Sequence, residues 1–308
     1  MKENILRFLI NETPLTNVVA IAADEAIPQD NILAAYEGNV DIDGLTVTLQ
    51  IVLNKDFPLS KPRFYLKQPD ALGFIPHVQS NGYVCYAHDE GLVLNLDNPT
   101  GIIAACLEEV IKTVVKGKTG ANIKDFYEEF ENYWAELKTG LEWISFVGIT
   151  PFVKEVAVAY SEQLSKIVLG DTINDITHGV KRFFGEGVTA KLFRWGIYIP
   201  LRAPILPPRP DNFWSPKTLR QLIFSNVSGS NRKRLKSILR KKKVKKDADE
   251  YVLLSIPSSE EKRALVGVRF SKFSALGHKK CNSTNFPHPL HKIGSAFEIT
   301  PHVIKRYD

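Results

Sequence analysis

Pro76-His77-Val78-Gln79-Ser80-Asn81-Gly82-Tyr83-Val84-Cys85-Tyr86 is the stretch on which the reading of this chain turns. It sets one cysteine behind a Ser-Asn-Gly turn and an apolar pair. A thiolate is both a strong nucleophile and a good leaving group, so a cysteine on an open ledge can carry an acyl group as a thioester. The plain alternative is a buried structural cysteine, a common role for this residue type. Upstream lies Phe57-Pro58-Leu59-Ser60-Lys61-Pro62, and downstream a run with helical spacing.

The flanks give a coarse element order. Residues 3–10 read as a short helix, and 16–23, 32–41, 45–53 and 63–67 as strands. In the third strand, Thr46, Thr48 and Gln50 alternate with Val47, Leu49 and Ile51, as in a half-buried strand. Asp43-Gly44 between the second and third strands is a two-residue hairpin signal. Four consecutive strands on short turns make an antiparallel meander. After Cys85 the period changes. Asp97-Asn98-Pro99-Thr100 reads as a helix start, Ile102, Ile103, Cys106, Leu107, Val110, Ile111 and Val114 keep helical spacing, and Gly117 closes the run. A second helix is expected over 123–138, with Phe126, Phe130, Tyr133, Trp134 and Leu137 on one face. Composition and period alone give only an α+β class.

Charge divides the chain. Residues 1–150 hold 11 Lys/Arg and 21 Asp/Glu; residues 151–308 hold 29 and 13. An acidic half joined to a basic half argues for two domains with different partners. Cys85, Cys106 and Cys281 are too few for a disulfide framework and fit a reducing compartment, so the expectation is cytoplasmic. The N-terminal apolar run is broken by Arg7 and reads as too short for a signal segment, and no run reads as long enough to span a bilayer, so neither secretion nor membrane insertion is expected. In the second half, 151–184 reads as helical and 192–200, 251–256 and 264–271 as strands, with an irregular Pro-rich connection over 200–210.

The order Phe-Pro-x-x-x-Pro, then His77, then Gly-x-Val-Cys, then helices resembles the ubiquitin-conjugating enzyme family. The resemblance narrows to the front half of a bacterial fusion in which a ThiF-type activating domain follows a linker, as found in type II CBASS anti-phage operons. It implies an N-terminal ubiquitin-conjugating-like domain over 1–145, a four-strand antiparallel meander with flanking helices. A mixed α/β linker domain over 146–308 follows, carrying the basic segment 231–246. The resemblance covers 1–140 through Phe57-Pro58, Pro62, His77, Cys85 and Tyr133-Trp134, and the remainder only by position and length. It implies a transferase whose Cys85 accepts the C-terminus of a ubiquitin-like modifier, or of a cGAS-like nucleotidyltransferase, and passes it to an amine on an acceptor protein. ATP would be used by the activating domain, which this chain lacks, and no cofactor is expected here. A homodimer would form through that further domain. Two competitors stand beside this reading: an adaptor that binds the modifier without carrying it, and a nucleic-acid-binding protein driven by the basic half.

His77 matches the His of the family's His-Pro-Asn motif, where it fixes the loop beside the cysteine. Val78 and Gln79 stand where Pro and Asn would, so the usual oxyanion donor is missing; Gln79, Asn81 and backbone N–H groups are the candidates to replace it. Such donors can be worth about 2.7–4 kcal/mol. His88, Asp89 and Glu90 are read as a solvated loop or an acidic gate, and Cys106 as core. His278, Cys281, His288 and His291 have metal-ligand residue types but lack paired-knuckle spacing and read as a loop, so no metal is expected. Gly185-Glu186-Gly187-Val188-Thr189-Ala190 follows a helix-like stretch, not a strand, and is not read as a dinucleotide site. Ten of the sixteen residues from Asn231 to Lys246 are Lys or Arg. The run lacks aromatics for base stacking, so it reads as attraction to an acidic surface or a polyphosphate, or as a solvated face, rather than as sequence-specific nucleic-acid reading.

Overall fold

The computed structural model describes residues 1–27, 31–87, 93–137, 139–245, 249–271, 285–291 and 297–307. The chain forms two compact units, Met1–Asp125 and Phe126–Asp308. Residues 126–145, expected in the first domain, therefore lie in the second unit. Phe130, Trp134 and Leu137 are part of that unit's core, and the Trp134 indole N–H donates to the His302 carbonyl at 3.0 Å.

The first unit opens with α1 (Lys2–Asn11), whose Ile5 and Leu9 are buried. Four strands follow, β1 (Thr16–Ile21), β2 (Ile32–Ile42), β3 (Leu45–Asn54) and β4 (Arg63–Leu66), in the antiparallel order β1-β2-β3-β4. The meander expected from the alternating pattern is present. Asp43 and Gly44 both have positive φ, 51° and 79°, the backbone that a two-residue hairpin with right-twisted strands requires. The Gly44 N–H donates to Asp41 Oδ1 at 3.0 Å, and the register runs Ile42↔Leu45, Val40↔Val47.

Helix α2 (Pro99–Thr119) starts where its sequence cap lies: Asn98 Oδ1 accepts from the Gly101 N–H at 2.9 Å. It ends on Gly120, in the left-handed conformation at φ 74°. Its buried Ile102, Ile103, Leu107, Val110 and Val114 pack with Leu49, Ile51, Phe64 and Leu66 in one core. Each such side chain contributes about 1.5–3 kcal/mol by leaving water. Tyr65 and Val52 alternate to the other face of the sheet and form a smaller cluster with Ala26 and Ala35.

The expected helix over 123–138 is broken into α3 (Asp125–Glu128) and α4 (Phe130–Ala135). In the second unit come β5 (Trp143–Phe146), β6 (Lys154–Ser161), β7 (Lys166–Gly170), α5 (Ile173–Phe184), β8 (Lys191–Pro200), α6 (Pro216–Asn226) and α7 (Gly229–Lys241). They are followed by β9 (Lys243–Lys245), β10 (Glu250–Pro257), β11 (Arg263–Ser271), β12 (Asn285–Pro287) and β13 (Glu298–Arg306). Seven strands close a barrel in the order β10-β11-β13-β5-β7-β6-β8, and β9 pairs with β12 apart from it. The mixed α/β expectation is thus refined to a seven-strand barrel dressed with helices.

The expected helix over 151–184 is corrected: only α5 is helical, and β6 and β7 precede it. The reason is burial on both faces. Val156, Val158 and Leu169 point into the barrel with Trp143, Tyr198, Tyr251 and Leu265. Ala157, Ala159 and Val168 point out against Ile176 and Val180 of α5. A strand buried on both faces loses the two-residue alternation that marks a strand. Helix α5 carries a capping box: Thr172 Oγ1 accepts from the Asp175 N–H while Asp175 Oδ2 accepts from the Thr172 N–H at 2.8 Å. Gly185 caps its end, so the Gly-rich hexapeptide follows a helix and leads into β8. No helix among the described residues is long and apolar enough to cross a membrane.

Candidate active site

The segment 77–85 is a hairpin. Val78 and Val84 pair antiparallel, with the Cys85 N–H donating to the His77 carbonyl at 2.8 Å and the Gln79 N–H to the Tyr83 carbonyl at 2.9 Å. That register places residues 77 and 85 opposite each other. Val78 and Val84 are buried toward the helix-side core. Their neighbours His77, Gln79, Tyr83 and Cys85 are only partly buried, as alternation across a strand requires. The cysteine and the histidine singled out by sequence therefore stand opposite each other in the backbone register of one hairpin, both partly buried.

The turn is tightly specified. The Gly82 N–H closes on the Gln79 carbonyl at 2.9 Å, and Asn81 Oδ1 accepts from the Tyr83 N–H at 3.0 Å. Gly82 has φ 85°, and a Cβ there would stand 2.1 Å from the Leu66 carbonyl oxygen. The close approach exists because the Gly82 carbonyl accepts from the Leu66 N–H at 2.8 Å, and the Val84 N–H donates to the Phe64 carbonyl. These bonds pin the hairpin to the edge strand β4.

His77 itself sits at φ 64°, a left-handed backbone rare for a side chain other than Gly, Asn or Asp. Its ring is held by Asp125, whose Oδ2 accepts from Nε2 at 2.8 Å. Asp125 was not among the sequence candidates. It lies 48 residues from His77, and the only local sign was an acid at a helix start. The hairpin, the cysteine and this His77–Asp125 hydrogen bond all belong to the first unit.

Beside the hairpin, on the face of the sheet away from α2, lies a cleft of about 510 Å³ lined by Gln79, Asn81, Tyr83, Tyr65, Arg63 and Asn54 among others. The rings of Tyr65 and Tyr83 meet at 5.4 Å. Gln79 is thus placed in an open polar site, whereas the Asn81 side-chain oxygen is engaged in the turn. On the other side of Cys85, Tyr86 donates its hydroxyl to the Pro62 carbonyl at 2.7 Å and packs edge-on against Phe64. Lys61 lies 5.2 Å from the centre of the Tyr86 ring and bonds the Ala87 carbonyl.

Cys106 contrasts with Cys85. It is 8% exposed, against the intermediate exposure of Cys85. Burial pushes the Cys106 thiol up, against the lowering effects of a Tyr86 hydrogen bond and the nearby Lys61 charge. A raised thiol is a poor source of thiolate. His88, Asp89, Glu90, His278 and Cys281 lie outside the described residues. His288 is fully buried, its Nδ1 accepting from the Leu290 N–H at 3.1 Å and its Nε2 3.6 Å from Glu250 Oε2. Burial foremost, then the Lys242 and His291 charges, holds His288 well below the usual imidazole range. Among the described residues no group of three or more His, Cys, Asp or Glu could hold a metal ion.

Residues 16–141 match the family model described as prokaryotic E2 family B. No curated protein and no solved structure matches the chain. The matched span takes in the whole meander, the Cys85 hairpin and α2, and runs past the division at Asp125. It supports a prokaryotic E2-like domain over that span, and with it a ubiquitin-conjugating-like transferase role. The four-strand antiparallel sheet fits such a domain.

Proposed function

We propose that Cys85 is an acyl carrier that takes the C-terminal carboxyl of a ubiquitin-like modifier as a thioester and delivers it to an amine. The observation that carries this reading is that Cys85 is partly exposed on a pinned hairpin, opposite His77 in register, while the other described thiol, Cys106, is buried in the core. In the first step the Cys85 thiolate attacks the carbonyl of the thioester presented by an activating enzyme. A new C–S bond forms and the activating enzyme's thiolate leaves. In the second step an acceptor amine attacks the same carbonyl. The C–N bond forms, the Cys85 thiolate departs, and the amine's proton is lost to a base. No redox change occurs, and ATP is consumed only upstream.

His77, turned by Asp125, is the residue we assign to the shape of the loop beside Cys85. Gln79 and the hairpin N–H groups are assigned to the oxyanion. Tyr65 and Tyr83 line the cleft in which the modifier's extended tail would lie. The wider setting we propose is anti-phage defence of the CBASS type, with a ThiF-type activating domain as donor. The C-terminus of a cGAS-like nucleotidyltransferase would be the modifier.

The test is intact mass after incubation with an activating enzyme, ATP and modifier. Wild type and Cys106→Ser gain the modifier in a thiol-labile form. Cys85→Ser gains either nothing or a thiol-resistant oxyester. No gain in any variant, with modifier still bound, would assign the chain to the non-catalytic adaptor class instead.

A further inference from the structure

The second unit carries a surface that the thioester chemistry does not use. Helix α7 is held down on one side only: Leu235 and Leu239 are buried in the barrel-side core. Buried Asn231 bonds across to the backbone, accepting from the Val153 N–H at 3.0 Å and donating to the Pro151 carbonyl at 2.8 Å. Just past its end, Lys242 bonds the Trp195 carbonyl and pairs with buried Glu250 at 3.1 Å. The opposite side is therefore fixed in place and faces water.

That side is a strip of cations. Arg232, Lys236 and Arg240 follow one another at four-residue spacing, and Lys233, Ser237 and Lys241 form the row beside them, all exposed. Arg234 is exposed at the strip's margin. The helix contains no acidic residue, and among the described residues none of these cations is ion-paired. From Arg232 to Lys241 the strip runs about 14 Å at 1.5 Å per residue.

We propose that this face of α7 binds the phosphate backbone of double-stranded nucleic acid without regard to sequence. The inference is independent of the thioester reading. Net basic composition alone does not separate a protein partner from phosphates, but the arrangement does. Protein interfaces concentrate their binding energy in aromatic and apolar anchors and are depleted of Lys at their centre; the strip has no such anchor. Single strands are held by stacking on aromatic rings, and the strip has none. What remains is a rigid row of Arg, Lys and one hydroxyl, groups that donate to phosphate oxygens.

The experiment is fluorescence anisotropy with the full chain and two labelled 20-base-pair duplexes of unrelated sequence, from 50 to 200 mM salt. Both duplexes should bind with equal affinity. The slope of log K against log salt should be about −3 to −4, the counterion release expected of roughly four phosphate contacts. Lys236→Gln with Arg240→Gln should reduce the slope by about 2, whereas Lys2→Gln with Lys55→Gln, in the first unit, should leave it unchanged. A duplex that fails to bind at 50 mM salt, or an unchanged slope in the strip variant, would overturn the proposal. So would tighter binding of poly-glutamate than of duplex, which would make the partner an acidic protein.

Discussion

Asp125 gives the hairpin a feature that its own sequence does not contain. The carboxylate fixes one nitrogen of His77, and residue 77 lies opposite Cys85 in the register of the hairpin. Asp125→Asn is expected to leave charging of Cys85 intact and to slow discharge onto a free amine about tenfold, equivalent to about 1.4 kcal/mol. Asp125→Glu should recover most of the rate and the wild-type pH profile of discharge. Equal loss of charging and discharge, with a lowered melting temperature, would mark the pair as structural only. Gly82 makes a second residue-scale prediction. Its φ of 85° and the 2.1 Å approach to the Leu66 oxygen leave no room for a methyl group. Gly82→Ala should destabilise the first unit by at least about 2 kcal/mol in urea titration. A change within 0.5 kcal/mol, in the range of about that size typical of neutral surface changes, would refute the tight docking of the turn.

At the scale of elements, the barrel interior makes its own prediction. His302 of β13 is 2% exposed, stacks on Trp143 at 4.4 Å, and has Nδ1 bonded to the Leu141 carbonyl. Burial above all holds its pKa down at about 4, against the raising effect of that backbone bond. The unfolded chain binds this proton near pH 6.5, so between 6.5 and 4 the unfolded state holds more protons. Stability should fall as pH drops through that window and level off below about 4, by up to about 3 kcal/mol. His302→Asn, which keeps a donor for Leu141, should remove this part of the pH dependence; an unchanged difference between pH 7 and pH 5 would contradict it. The same barrel explains which elements sequence could show. Strand β3 and the Asp43-Gly44 turn were legible because one face of the sheet is less deeply buried than the other and the turn needs special φ values. Strands β6 and β7 were not, because both faces are apolar. Strands β5 and β13 escaped notice because they are short or polar in pattern, and each is completed by pairing with the other and with β7 or β11.

Over the whole molecule, the same contrast separates what could be read of the site. Cys85, His77 and Gln79 lie within one hairpin, so contiguous sequence carried their relation. Asp125 joins them only after α2 has crossed the sheet. The split of charge also has a structural counterpart: the acidic first unit holds the candidate thioester site, and the basic second unit presents the α7 strip. The central claim is that one cysteine carries the acyl group. The most direct measurement is tandem mass mapping of the adduct on the wild-type chain, kept acidic and unreduced. The sample is taken after incubation with a ThiF-type activating enzyme, ATP and modifier. The account predicts a single thiol-labile acyl group on Cys85, absent when ATP or the activating enzyme is omitted. An adduct on Cys106 or Cys281, or an unmodified Cys85 beside a fully charged activating enzyme, would contradict it.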